Sequence, residues 1–165
     1  MTLDELNGLD KPALREALGN CCGSRSWVEK MMTAFPVLSV HDLLDRASKA
    51  WRACSKEDWI EAFGHHPRIG DLENLKKKYA GTGASMEQAG ALEASVMTLE
   101  ALAEGNRVYE ERFGYIFIVC ATGRSAEEML RLLRERLGNS PGKEILIAMG
   151  EQEKIMRLRL EKLLS

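Results

Sequence analysis

At Asp10, Ser24, Ser39, Ser55, Ser85 and Ser125 a short polar side chain stands just ahead of a segment whose apolar residues recur every three or four positions. Ser140 precedes a proline that opens one more such segment. Side chains of this kind accept hydrogen bonds from the unpaired N–H groups of a first helical turn, and proline suits the first helical position. The recurrence is that of a helix with one buried face. A chain punctuated in this way is expected to be all-α: a single-domain multi-helix bundle over residues 1–165. That length supports one real core and is short for two.

The same signals continue along the chain. Asp10 caps a helix from Lys11 to Leu18, and Ser24 one that carries Trp27, Val28, Met31 and Met32. Ser39-Val40-His41-Asp42 has capping-box spacing and opens a helix through Leu43, Leu44, Ala47 and Trp51. Ser55 opens the next, with Trp59, Ile60 and Phe63 as its apolar residues, and Gly64 ends it. Residues 71–79 read as a short charged helix and AGTGAS (80–85) as a flexible connection that lacks the spacing of a phosphate loop. Ser85 caps a long helix with the stripe Ala89, Leu92, Val96, Leu99 and Ala103, continuing past Gly105 toward Phe113. Ser125 begins a second capping box, ahead of Leu130, Leu133 and Leu137.

One segment departs from the helical period. FGYIFIVCA (113–121) is aromatic and β-branched and lies between glycines, so at most one short extended segment is expected near 115–121. A lone strand has no ladder partner, and its N–H and C=O groups must find side chains, water or a ligand. The buried end of a helix is an equal reading of the same residues.

Several function classes are disfavoured. Basic and acidic residues number 23 and 25, which argues against an electrostatic nucleic-acid binder. No apolar run approaches the ~20 residues of a membrane span, and the start lacks a signal peptide, so a cytoplasmic protein is expected. Cys21, Cys22, Cys54 and Cys120 form no C-x-x-C, and His65 and His66 have no neighbours at zinc-ligand spacing. Reduced thiols and no metal are expected. A metal or redox protein is therefore the weaker reading.

The candidate chemistry begins at FGHHPRIGD (63–71). The residue before Pro67 is pushed out of helical geometry, which holds His66 on a loop. An imidazole there can accept and donate a proton at neutral pH. An extended loop turns successive side chains to opposite sides, so one of His65 and His66 is expected to face a given pocket. A solvated bystander is the alternative for either, and for His41. Glu87 sits in a first helical turn, where the dipole favours it by a few tenths to about 1 kcal/mol. Gln88 lies on the apolar side of that helix, where its amide needs something polar bound. Arg157 has Glu153 and Glu161 at i−4 and i+4 as surface partners. Arg159 has Ile155, Met156 and Leu163 instead. It calls for a counter-ion such as a substrate carboxylate, unless its head snorkels to water. Arg124 is a further candidate of the same kind.

HPRIGD (66–71), MEQAGAL (86–92), NRVYEERFGYIFIVCATGRSAEEML (106–130) and RLRLEKLL (157–164) together resemble the decarboxylases of 2-oxo-4-hydroxy-4-carboxy-5-ureidoimidazoline (OHCU). These act at the last step from urate to (S)-allantoin. The resemblance spans nearly the whole chain. It implies an all-helical homodimer with a small-molecule substrate and neither metal nor organic cofactor. His66, before the proline, matches the family's catalytic histidine, and Glu87 its acidic partner. Substrate binding is implied for Pro67, for Ala84, Ser85, Met86 and Gln88, for Phe117, Ile118, Val119, Cys120 and Ala121, and for Arg159. Two positions depart from the family pattern: His65 stands where alanine is common, and Ala84 where a serine often stands. The chain ends Lys-Leu-Leu-Ser rather than in a peroxisomal tripeptide, and the upstream 5-hydroxyisourate hydrolase is expected on a separate chain. A helical interaction module without activity is the competing class, and the set His66, Glu87 and Gln88 argues against it.

Overall fold

The computed structural model describes residues 1–66 and 89–165, with side chains from residue 96 onward in the second stretch. The expected 71–79 helix, the 80–85 connection and the Ser85 cap lie outside the described residues. Among those described are eight helices and no strand: α1 (Leu3–Asn7), α2 (Lys11–Cys21), α3 (Arg25–Met32), α4 (Val40–Arg52), α5 (Lys56–Phe63), α6 (Ala89–Phe113), α7 (Ala126–Leu137) and α8 (Pro141–Leu163). The chain divides into two compact units, one of residues Met1–His66 and Met149–Ser165, the other of Pro67–Ala148.

In the first unit the caps act as the sequence implies. Asp10, Ser24, Ser39 and Ser55 each accept from the backbone N–H three residues on. The reciprocal box closes at Ser55, where Asp58 returns the bond. At Ser39 the carboxylate of Asp42 instead reaches the N–H of Leu38, at 2.9 Å. A further box, Thr2 with Glu5, opens the short α1. The core is built around three tryptophans, and each indole N–H finds a carbonyl: Trp27 on Ala47 at 3.0 Å, Trp51 on Met149 at 2.9 Å and Trp59 on Trp51 at 3.0 Å. An unpaired donor at such a depth would cost about 1–3 kcal/mol. Trp59, Ala62 and Phe63 are buried on α5, whereas Ile60 is 42% exposed. The stripe of α5 follows its i, i+3, i+4 positions, and Ile60 lies a third of a turn away from it.

In the second unit α6 continues through Gly105 to Phe113. A Cβ at Gly105 would stand 2.5 Å from Cδ2 of Leu133 on α7, so the glycine is what lets the two helices approach. The buried stripe of α7 centres on Met129 and Leu133, with Leu130 and Leu137 at its margin. Gly114, at φ +82°, ends α6 in a conformation that side chains rarely adopt.

The segment after Gly114 is neither a strand nor a helix end. Tyr115, Phe117, Ile118 and Val119 are buried, and side chains take the place of a ladder. Arg136 donates to the carbonyl of Ile118 at 2.6 Å, and Arg124 to that of Cys120 at 3.1 Å. Arg136 is itself held by Glu144, at 2.6 Å, which also accepts from the Tyr109 hydroxyl at 2.6 Å and from Asn139 at 3.0 Å. The Arg136 guanidinium lies 4.5 Å from the centre of the Phe117 ring. Burial and the Glu144 carboxylate push the Tyr109 hydroxyl far above its ordinary pKa, so it stays a donor.

Candidate functional site

The first unit carries a cleft of about 590 Å³ lined by α2, the α5 end and the last turns of α8. That volume suits a small molecule. Its polar lining includes His65, His66, Asn20, Arg159 and Lys162, beside Cys21.

Both histidines are delivered by the end of α5. Gly64 is the C-cap, in right-handed rather than left-handed geometry. The N–H groups of His65 and His66 return to the carbonyls of Ala62 and Phe63, each at 3.2 Å. The chain is therefore still turning at His66, and this corrects the expectation that the pair faces opposite ways. Successive residues of a turn diverge by less than those of an extended strand, and both rings line the same cleft.

The two rings have different surroundings. The His65 ring lies across Gly23, where an added Cβ would overlap its Cγ and stand 2.6 Å from its Cδ2. His66 is half-buried. Its Nε2 hydrogen-bonds to Oε1 of Gln152, and its Nδ1 lies 3.5 Å from Nη2 of Arg159. Burial pushes the His66 pKa below the ordinary histidine value. The Gln152 hydrogen bond opposes that shift, and the charges of Arg159 and His65 add to it.

Gln152 and Arg159 are seven residues apart, two turns of α8, and so share one face of it. Gln152 is fully buried, while Arg159 is exposed. Among the described residues no carboxylate lies within ion-pair distance of Arg159. The spacing rule for Arg157 is not met: Glu153 pairs with Arg52 at 2.9 Å, and Arg157 donates to the Leu44 carbonyl at 3.2 Å and the Ser48 hydroxyl at 2.9 Å. Arg124 is used in its own turn, and His41 is exposed on α4.

Of the residues expected at a site, His66 and Arg159 are thus brought together across 93 positions of chain. Phe117, Ile118, Val119, Cys120 and Ala121 belong to the second unit. Pro67, Ala84, Ser85, Met86, Glu87 and Gln88 lie outside the described residues. Gln152 was not anticipated; its heptad spacing from Arg159 was the signal that could have found it. Lys162 was likewise passed over, in a run rich in charge.

The thiols are quiet. Burial raises Cys21 to about 11 and Cys22 to about 12, so both are protonated at neutral pH. Among the described residues no three of His, Cys, Asp and Glu gather at metal-ligand spacing, and no helix is long and apolar enough to cross a membrane.

Comparison with known proteins gives a consistent answer. A family model described as OHCU decarboxylase matches residues 7–161. The uric acid degradation bifunctional protein TTL of Arabidopsis thaliana is 37% identical over 147 residues, which are 88% of this chain and 45% of that protein. The 2-oxo-4-hydroxy-4-carboxy-5-ureidoimidazoline decarboxylase of Haloferax volcanii is 25% identical, over 100% of this chain and 97% of its own. An OHCU decarboxylase crystallised in the presence of (S)-allantoin superposes with a TM-score of 0.72 at 37% identity, covering 88% of this chain and 95% of that one. The chain spans less than half the length of the bifunctional relatives it matches.

Proposed function

Because the chain belongs to the OHCU decarboxylase family, we propose that it converts 2-oxo-4-hydroxy-4-carboxy-5-ureidoimidazoline to (S)-allantoin in urate degradation, without a cofactor. The observation that carries this reading is the meeting of His66 with Arg159 on the cleft. It puts a titratable imidazole beside a cation that lacks a carboxylate partner among the described residues.

The substrate has a carboxylate and a hydroxyl on one ring carbon, next to a C=N bond whose carbon bears the ureido group. When the bond to the carboxylate breaks, its electron pair stays on the ring carbon and is drawn into the C=N system. The substrate thus supplies its own electron sink. His66, assisted by Glu87, takes the hydroxyl proton as carbon dioxide leaves. The protonated ring then gives a proton to one face of the carbon bearing the ureido group, and the ring nitrogen that took up the electron pair receives from water the one further proton that the net reaction consumes. Help of this kind is typically worth ~10²–10⁴ in rate. Arg159 receives the substrate carboxylate as its counter-ion. The family resemblance assigns substrate binding also to Gln88 and the 117–121 segment, which would hold the ring and ureido amides, and to Pro67 and residues 84–86.

Residues 1–165 act in this proposal as one catalytic domain, a reading supported by the unbroken family match over 7–161. Its further parts rest on the family resemblance: a cytoplasmic homodimer, supplied with substrate by a 5-hydroxyisourate hydrolase on a separate chain.

Circular dichroism of allantoin formed from freshly generated substrate tests the activity, with wild type, His66→Ala and no enzyme run in parallel. Rapid, optically active product from wild type alone is expected. Full rate and handedness from His66→Ala would remove His66 from the mechanism, and a wild type equal to the blank would remove the activity.

A further inference from the structure

A neutral imidazole has one nitrogen that donates and one that accepts, and its neighbours decide which is which. At His66 the two neighbours come from the same face of α8 and give one answer. Arg159 has only donors, so Nδ1, the nitrogen it faces at 3.5 Å, carries the lone pair. The proton then sits on Nε2, and the group that meets Nε2 must accept it. Gln152 does so through Oε1.

The other end of that amide supports the assignment. Gln152 Nε2 is buried and has no hydrogen-bond partner among the described residues, although buried amide donors are nearly always paired. Turning the amide over would aim its N–H at His66 Nε2. The ring proton would then move to Nδ1, donor against donor with Arg159. The orphaned N–H is what remains when the oxygen is committed to His66.

We propose that Gln152 is the positioning residue of this site, holding His66 as the Nε2–H tautomer so that Nδ1 is the atom that receives the substrate's hydroxyl proton and later returns it. This rests on His66 being the acid–base group. With the proton on Nδ1 the ring is an imidazolium still anchored to Gln152 Oε1, and returning that proton restores the starting tautomer. Gln152 touches no reacting atom and works through the ring. The other titratable or charged groups lining the cleft are Arg159 and Lys162 on α8, His65 beside the ring and Cys21 on α2. Of these only a neutral His65 could accept a hydrogen bond, and the partner that Nε2 meets is Gln152 Oε1.

The ring nitrogens report the tautomer directly. In protein labelled with ¹⁵N-histidine, two-bond ¹H–¹⁵N correlation above the His66 pKa is expected to show protonated Nε2 and unprotonated Nδ1 in wild type. Gln152→Met should bring the two ¹⁵N shifts together and lower kcat roughly ten- to a hundred-fold, the size of effect that loss of a hydrogen-bond partner has at metal-bound histidines, with KM little changed. Gln152→Glu places a carboxylate at Nε2 and should raise the His66 midpoint by roughly a unit or more, moving the acid limb of kcat/KM with it. A wild-type ring protonated at Nδ1 would overturn the proposal. So would Gln152→Met with unchanged ¹⁵N shifts, or Gln152→Glu with an unmoved midpoint. The wild-type spectrum needs neither a folded variant nor turnover, so an inactive protein with the expected tautomer would reject the proposed activity and leave the tautomer assignment standing.

Discussion

The α-carbon of Gly23 lies so close to the ring of His65 that a methyl group on it would overlap Cγ and stand 2.6 Å from Cδ2 and 2.7 Å from Cβ. A change of χ1 can swing the ring away from the new methyl group, but Cβ is fixed by the backbone and stays at 2.7 Å. Gly23→Ala is therefore expected to lower stability by about 1–3 kcal/mol, the usual effect of overpacking, read as the urea midpoint. Adding His65→Ala leaves Cβ in place and should restore part of the loss, and His65→Gly should restore more. Equal midpoints for Gly23→Ala and wild type would show that the contact is soft.

The lowered pKa of His66 sets two pH dependences. Burial is the first cause, and Arg159 and His65 add to it against the pull of Gln152. The ring stays neutral in the folded protein at pH values where the unfolded chain, titrating near 6.5, already takes up a proton. This group's contribution to stability is therefore flat above 6.5 and falls as the pH drops from there toward the folded pKa. For the same reason the acid limb of kcat/KM should lie below 6.5. Arg159→Gln removes one charge that holds the ring neutral and should move that limb upward, as well as raising KM. A pH–rate profile of the two proteins checks both, and an acid limb above 6.5 in wild type would contradict the burial of the ring.

Arg136 is 6% exposed and Glu144 is not exposed at all. Removing one member of such a pair strands the other. Arg136→Ala should destabilise the protein by roughly 3–5 kcal/mol, whereas Arg136→Met combined with Glu144→Gln should lose less, because no charge is left buried alone. Denaturant melts of the two variants give the comparison, and a single variant no worse than the double would show that solvent reaches the pair.

The vicinal thiols give a chemical check on the cleft wall. With Cys21 at about 11 and Cys22 at about 12, little thiolate exists at pH 7.5, and thiolate is the reactive form. Native protein should react with a thiol reagent slowly at these two positions, and all four cysteines should react after denaturation. Rapid native modification of Cys21 and Cys22 would revive the redox reading.

Much of the helical pattern is legible in the sequence because its signals are local. A cap and the turn it closes are three residues apart, so Ser24, Ser39 and Ser55 can be read directly. The departures are tertiary. The hand of the turn at Gly64 decides whether two adjacent histidines share a cleft, and only the packing around α5 sets it. Spacing assigns Arg157 to its own helix, but Arg52 takes Glu153 from another, and the freed guanidinium turns to α4. The segment at 115–121 does lack a ladder, yet nothing in its own residues points to Arg136, eighteen positions on from Ile118. His66 and Arg159 are recognisable by motif, whereas Gln152, which touches one of them, sits in a charged run and is marked only by its two-turn spacing from Arg159.

At the Ile118 carbonyl a single guanidinium stands in for a ladder, and the substitution changes how the segment tolerates displacement. A strand paired along its length can slide by two residues and recover every bond in a new register. Here a slide brings a different carbonyl to Arg136 and pulls Phe117 from under the same group. The stretch between Gly114 and Cys120 is thereby threaded rather than zipped, with a fixed count of links. It can exchange one apolar side chain for another, but an inserted or deleted residue has nowhere to go.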